Sequence, residues 1–340
     1  MFRSYNTFTF DQGIFGWFYK ILRPIEWLMT YVMVWCHKAL TFLGLKEGPG
    51  IAWALSVVLL VIFVRLLILP LFIKQMRSMQ RMQAIQPKLM KIQNKYKGKK
   101  DAASREAASR ETMKLYQDNH ANPASSCLPA LIQSPIFATM FYVLSAVPFI
   151  AHGTHDPLGA FTKDVASEFE QTTFFGLRIS DNFVTAQGAG KAVIVVFIAL
   201  MCLAMFYSQF HNVRKNLPRA SMEGQQYKMQ KMMAYFFPVM YIFSGVAFPF
   251  AVLIYWLTNN VWTLGQTLYQ VYHMPTPGSP AAEEKQERDH RHENARRARK
   301  NLPSLEEEEL MRLKELEEEA RSGKKVSHQR EQPRRKRRKN

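Results

Sequence analysis

Apolar positions cluster in long blocks between residues 51 and 272, and each block is bounded by polar, charged sequence. A helix rises about 1.5 Å per residue and a bilayer core is about 30 Å thick, so roughly 20 apolar residues cross it. Residues 51–71 meet this requirement with Arg65 as the single charge. Residues 128–150 and 192–210 meet it with no charge. Residues 234–272 are also uncharged, but as one helix they would reach nearly 60 Å, too long for one crossing. The stretch from Gly245 to Pro249 can turn the chain, so two short spans are predicted, 234–248 and 250–272. The expected fold class is an all-α polytopic membrane protein with five core transmembrane helices.

The polar stretches carry patterns of their own. In residues 74–120, Met76, Met79, Met82, Ile85, Leu89, Ile92 and Tyr96 recur every three or four positions, as on one helical face. A KGKK turn at residues 97–100 follows, then a second helical pattern through Ala103, Ala107, Met113 and Tyr116. This predicts a helical hairpin whose first arm is kinked at Pro87. Its methionines, Met79, Met82, Met90 and Met113 among them, are either hairpin core or a flexible greasy surface for apolar segments. Residues 1–50 form an N-terminal unit. The apolar stretch 25–45 carries Glu26, His37 and Lys38, and no small-x-small pattern ends it, unlike a cleavable signal peptide. It is either an uncleaved spanning anchor or an amphipathic helix lying in the interface. Residues 273–340 form a charged tail, with a capping box from Ser304 to Glu307 opening a polar helix over 304–322. The tail ends in RRKRRK at 334–339. It is either a solvated disordered segment or an electrostatic grip on ribosomal RNA or anionic lipid.

Charge fixes the orientation. The net charge of +18 and a pI near 9.8 alone would suggest nucleic acid or anionic lipid, and the apolar blocks favour the membrane. Residues 74–120 hold twelve Lys/Arg against four Asp/Glu, and residues 211–232 hold five against one. Residues 151–190 hold two against five. Positive loops stay cytoplasmic. The hairpin and the C-terminus are therefore expected inside, and the 151–190 loop outside. Cys36, Cys127 and Cys202 are far apart and form no CxxC pair, so free thiols are expected rather than a disulfide framework or zinc site. Cys36 follows the bulky Trp35 and does not read as a lipid anchor. Nothing matches a nucleophile–base pair, a metalloprotease motif or a P-loop, so no enzyme, metal or cofactor is expected. His152 and His155 read as residues of a plain loop.

Arg65 is the candidate functional residue. A charge at the centre of a span costs at least about 2.5–3.5 kcal/mol, which marks it for function unless it snorkels to the nearby headgroup layer. Its neighbours on its own helical face, Val58, Val61, Ile62, Ile68 and Leu69, offer no hydrogen bond. No span holds an Asp or Glu. An unpaired buried charge is very costly, so a hydrated groove open to the cytoplasm is expected around Arg65. Gln133, Ser134, Thr139, Ser145, Thr258, Asn259 and Asn260 are candidates to line it, with Asn259–Asn260 after Tyr255–Trp256 the least ordinary group. Each alone is better explained as an interhelical hydrogen-bond group than as a cavity wall.

Several separated segments resemble the YidC-type membrane protein insertases. They are SVVLLVIFVRLLILPLFIKQMRSMQRMQAIQPKLMKIQNKY (56–96), NPASSCLPALIQSPIFATMFYVL (122–144), QQYKMQKMMAYFFPVM (225–240) and FPFAVLIYWLTNNVWTLGQ (248–266). Their order and spacing match over most of 51–272. The resemblance implies five spans around a hydrophilic groove, and the family's groove arginine falls on Arg65. The family's hairpin falls on 78–120, its last-span aromatic position on Trp256, and its N-terminal amphipathic element on 15–45 with Trp17 and Trp27. It also implies insertion and folding of nascent membrane proteins, alone or with the Sec translocon, without cofactor or ATP. The implied place is the plasma membrane of a bacterium. Three features depart from the commoner pattern: no large external domain, no lipoprotein signal, and a longer loop containing FFGLRISDNF (174–183). With the long basic tail they resemble actinobacterial members.

The mechanism expected from this is that hairpin and tail meet a ribosome or nascent chain. A hydrophilic client end then enters the groove at Arg65, and the apolar segment partitions into the lipid bilayer. One alternative is a small-solute channel or transporter using the same wet cavity; the chain has no inverted repeat or intramembrane acid to support it. Another is a structural anchor for a ribosome or RNA.

Overall fold

The computed structural model describes residues 8, 10, 13–99, 101–122, 124, 128–222 and 225–321. Cys127 and the basic cluster at 334–339 lie outside the described residues. The fold is almost entirely helical: α1 (Gly13–Phe42), α2 (Ile51–Ala84), α3 (Gln86–Tyr96), α4 (Ala102–Asp118), α5 (Leu128–Ala151), α6 (Lys163–Gln171), α7 (Ala189–Asn216), α8 (Gln225–Ala247), α9 (Phe250–His273), α10 (Pro280–Ala298) and α11 (Leu305–Arg321). The described strands are the two-residue pair β1 (Thr173–Phe174) and β2 (Leu177–Arg178), joined antiparallel. Among the described residues, three helices are long and apolar enough to cross a membrane: Ile51–Ala84, Ala130–Ala151 and Ala189–Asn216. The chain divides into two units, 1–282 and 283–340.

In the first unit α7 packs on α8 and α9, α2 on α1 and α9, and α5 on α1 and α6. The uncharged run after residue 234 breaks where its Pro does: α8 ends at Ala247 and α9 starts at Phe250, with Pro249 as N-cap. Gly245 does not turn the chain. It lies inside α8, where an added Cβ would sit 2.7 Å from Ile198 Cγ1 of α7, so its role is close helix packing.

The 151–190 segment is folded, contrary to the plain loop expected. Thr162 caps α6 by accepting from the Val165 N–H at 3.4 Å, and Ala166 and Phe169 bury its apolar face. Phe175 and Gly176, at φ of 52° and 72°, form a tight turn between the strands. Both central residues need positive φ in that turn, and a Phe there hides the usual Asn-Gly signature. This segment also caps α9. The Phe250 N–H donates to the Asp181 carbonyl and the Ala251 N–H to the Ile179 carbonyl, both at 2.7 Å. First-turn helix donors have no partner within their own helix, and these two sit in the core, so the carbonyls prevent a large loss. His152 lies near Glu170 (3.6 Å), and His155 Nε2 lies 3.3 Å from the Tyr142 hydroxyl.

The N-terminal helix docks on this segment. Thr30 Oγ1 accepts from the Ala160 N–H at 3.2 Å, beside Gly159. The His37 ring stacks on Trp53 at 3.8 Å, and the Trp53 indole N–H donates to Glu168 at 2.8 Å. Glu26 and His37, which looked out of place in an apolar stretch, are both buried here. The exposed face carries Trp17, Trp27, Tyr31 and Trp35.

At the other end of the bundle a buried polar knot joins α2 and α7 to the chain just beyond α9. The Thr276 hydroxyl donates to Gln83 Oε1 of α2 at 2.7 Å, and the Thr276 N–H donates to Asn216 Oδ1 of α7 at 2.8 Å. The hairpin arms α3 and α4 follow a break at Ile85, with Pro87 in the first turn of α3. Met82 and Ile85 are buried with Ala121, against Leu115 and Tyr116. Met79 and Met90 are half-buried, and Met113 is exposed. The methionine stripe is thus partly core and partly surface.

The second unit holds the polar helix expected over 304–322 as α11, preceded by a helix the sequence pattern did not indicate. Most of α10 and all of α11 belong to it. Ala-rich turns and local pairs such as Arg297 with Glu293 (3.7 Å) stabilise α10 without burial. The capping box of α11 is formed: the Ser304 N–H donates to Glu307 Oε2 at 2.8 Å, and the Glu307 N–H donates to Ser304 Oγ at 3.2 Å. Asn294 ties the helices by accepting from the Leu305 N–H and donating to Glu306, both at 2.9 Å.

Two outcomes follow for this architecture. Gly159 has φ +53°, and an added Cβ would lie 2.2 Å from Thr30 Oγ1. Gly159→Val should therefore detach α1, measurable as faster proteolysis of residues 13–42 while the rest stays resistant. In the hairpin, Lys95 and the Tyr96 hydroxyl hydrogen-bond Glu111, holding its carboxyl below the usual range. A lowered folded pKa adds stability above the unfolded value and loses it as pH falls through the folded one. NMR titration of Glu111 should show an acid-shifted midpoint that moves back up in Lys95→Met.

Candidate functional site

Arg65 lies on α2, five residues before Pro70, in the apolar part of that helix. Its charge is met by α9. Arg65 Nε donates to Asn259 Oδ1 at 3.0 Å and Nη2 to the same oxygen at 2.6 Å. Nη2 also donates to Thr263 Oγ1 at 3.1 Å. Asn259 and Thr263 are one turn apart, so they share a face of α9. The Thr263 hydroxyl donates back to the Asn259 carbonyl at 2.8 Å, which aims its lone pair at the guanidinium. Among the described residues, Arg65 forms no ion pair. Its positive charge is bonded by neutral oxygens and is not neutralised.

The sequence pointed to water as the partner, and protein groups take that part. Beside Arg65 lies a cavity of about 10 Å³, lined by Val61, Val64, Gln133, Ile136, Tyr255 and Asn259 among others. Asn259 and Thr263 take the Nε and Nη2 donors, and the space beside the guanidinium is about the size of one water.

The other candidates divide. Gln133 and Tyr255 share the cavity wall with Arg65 and Asn259. The Tyr255 hydroxyl is buried and faces the Gln133 side chain. Trp256 faces another cluster, stacked on Tyr241 at 5.3 Å and on Phe137 at 5.6 Å, with Phe248 edge-on at 5.4 Å. Asn260 joins that cluster by accepting from the Tyr241 hydroxyl at 3.4 Å, and its Nδ2 is buried and unpartnered. Thr139 and Thr258 donate to carbonyls four residues back, Pro135 and Ile254, both at 2.8 Å. Ser134 also bonds its own helix, at Ala130, and is exposed. Ser145 Oγ is buried without a partner. Four of the candidates therefore converge, Arg65, Gln133, Tyr255 and Asn259.

Two residues were missed. Thr263 lay within reach of sequence reasoning, one turn beyond Asn259 on the same face. Tyr241 carried no signal, because it is one aromatic among many in α8. Cys36 is buried and Cys202 half-buried, and both are free thiols. Cys202 donates to the Pro238 carbonyl of α8 at 3.4 Å.

The pairing can be tested by a double-mutant cycle. Asn259→Leu should destabilise the protein by about 1.5–3 kcal/mol, since a charged group loses its acceptor in a buried site. Arg65→Met together with Asn259→Leu should recover most of that loss. Denaturation midpoints in mixed micelles read both; a double variant no more stable than Asn259→Leu alone would contradict the pairing.

The 60Kd inner membrane protein family model matches residues 44–276. Curated relatives carry the name "Membrane protein insertase YidC". The protein of Bifidobacterium longum is 56% identical over 281 residues, covering 82% of this chain and 84% of the relative. That of Tropheryma whipplei (strain Twist) is 35% identical over 284 residues, covering 80% and 90%. That of Streptomyces avermitilis is 38% identical over 242 residues, covering 68% and 54%. With its apolar helices and these bacterial relatives, the chain is a bacterial membrane protein that belongs to the 60Kd inner membrane protein family, the YidC-type insertases.

Proposed function

We propose that this protein inserts nascent membrane proteins through a polar groove built around Arg65, alone or beside a Sec translocon. The observation that carries the reading is an arginine at membrane depth bonded by neutral oxygens of Asn259 and Thr263. Such a charge keeps its long-range attraction for an acidic or polar peptide segment, which a carboxylate partner would cancel. Gln133 and the Tyr255 hydroxyl supply further polar contacts beside it. The groove opens when a client's hydrophilic end displaces the single-water space, and the client's apolar segment then moves into lipid. Transfer of that segment supplies the free energy, about 25 cal/mol per Å² of apolar surface.

In this reading α2, α5, α7, α8 and α9 are the five spans of a 51–272 core, with residues 1–50 as an interfacial element. The uncharged part of α8, residues 232–247, is 16 residues, or about 24 Å against a core of about 30 Å. A short span thins the bilayer locally and lowers the barrier for a polar end. The α3–α4 hairpin, the charged tail and the C-terminus face the cytoplasm, where the ribosome delivers clients; Met113 and the half-buried Met90 offer apolar contact. The acidic 151–190 segment faces outward.

The test is insertion of a single-span reporter with an acidic N-terminal tail into proteoliposomes. Arg65→Gln should slow insertion several-fold, while a reporter with a neutral tail should be affected much less. Equal rates for wild type and variant with the acidic reporter would refute the charge-attraction role.

A further inference from the structure

A second polar feature lies away from Arg65, in a cleft of about 290 Å³ between the end of α7 and the start of α8. Its floor is apolar, formed by Phe210, Val213, Ala234 and the Tyr235 ring. Its mouth carries Arg214 from α7, with Tyr227 and Lys231 from α8. We propose that this cleft binds the headgroup of an anionic phospholipid, with the phosphate between Arg214 and Lys231 and an acyl chain along the floor.

Three observations converge on this ligand. First, among the described residues no acidic side chain lines the cleft. Arg214 and Lys231 come from different helices, and among the described residues neither has an ion pair or hydrogen bond. Two like charges held near each other without a counter-charge favour an anion. Second, the cleft straddles the polar–apolar boundary of both helices. The apolar block of α7 ends at Phe210 and that of α8 begins at Ala234, so cations stand on the water side and the floor on the hydrocarbon side. Basic pockets between transmembrane helices bind acidic lipid headgroups for this reason. Third, the floor continues onto an exposed aromatic surface. Phe206 packs on Phe210 at 5.8 Å and on Tyr235 at 5.7 Å, and Tyr207, Phe210 and Tyr235 remain exposed. Such rings suit an acyl chain and the headgroup layer. A free phosphate would use the cations and leave the apolar floor idle, so the lipid is the ligand. A lipid seated there pins the start of the short α8 to the bilayer surface.

Native mass spectrometry of the purified protein titrated with phosphatidylglycerol or phosphatidylcholine tests this directly. Wild type should retain one phosphatidylglycerol more tightly than phosphatidylcholine. Arg214→Gln with Lys231→Gln should weaken that retention roughly thirtyfold, since each of the two cations near an anionic headgroup contributes on the order of 1 kcal/mol and about 1.4 kcal/mol is tenfold. Lys97→Gln with Lys99→Gln, on the hairpin turn and outside the cleft lining, removes the same charge and should change nothing. Ala234→Leu fills the floor without altering charge and should also weaken retention; it carries the test by itself if the double variant fails to fold. Unchanged retention in the cleft variants overturns the proposal, as does an equal loss in the hairpin control. Displacement of the lipid by millimolar inorganic phosphate would assign the cleft to a free anion and overturn it too.

Discussion

The constraint that organises this molecule is one half-buried guanidinium among apolar helices. An arginine in a bilayer-spanning helix must find acceptors, because hydrocarbon offers none. Asn259 and Thr263 provide them from α9, which therefore has to be held in one register against α2. Two polar anchors fix that register. At one end, the carbonyls of Ile179 and Asp181 cap the first turn of α9. At the other, Thr276 ties the chain just beyond α9 to Gln83 and Asn216. Between them the contact of Arg65 with Asn259 is the third polar point along the α2–α9 seam. Displacement of either anchor shifts the acceptors relative to the guanidinium.

This arrangement also explains why the 151–190 segment is folded. A loose loop could not offer fixed carbonyls to α9 or a carboxylate to the Trp53 indole. Its capped helix, tight hairpin and contacts with α1 give it the rigidity those bonds require. The N-terminal helix in turn depends on the segment, through Thr30 at Gly159 and His37 stacked on Trp53. Polar groups that looked anomalous in an apolar stretch are thus part of the joint between two elements.

Much of this was legible in the sequence. The long apolar helices α2, α5 and α7 follow from apolar block length, the α8–α9 break from Pro249, the helix at 305–321 from its capping box, and Arg65 from its isolation in an apolar run. The readings that missed have physical reasons. The partner of Arg65 is 194 positions away and neutral, so a scan for carboxylates passed over it. The fold of 151–190 rests on long-range carbonyl donation and on a Phe-Gly turn, neither of which shows as periodicity. Helix α10 is stabilised by Ala content and ion pairs rather than by an apolar face, so composition alone resembled disorder. Of the polar span residues, Thr139 and Thr258 bond the carbonyl four residues back and so satisfy themselves within their own helices. The ones that converge, Gln133, Tyr255 and Asn259, share a wall only once three helices are packed.

The account gains or loses most on whether a client's polar end occupies the space beside Arg65. A photo-crosslinking residue placed at Gln133, with a stalled ribosome–nascent chain of a single-span client, measures this directly, and the same probe at the lipid-facing Leu203 is the reference. The account predicts strong crosslinks from position 133 to the client's hydrophilic flank, lost in Arg65→Met, and few from position 203. Crosslinks confined to position 203, or a position 133 signal indifferent to Arg65, would contradict it.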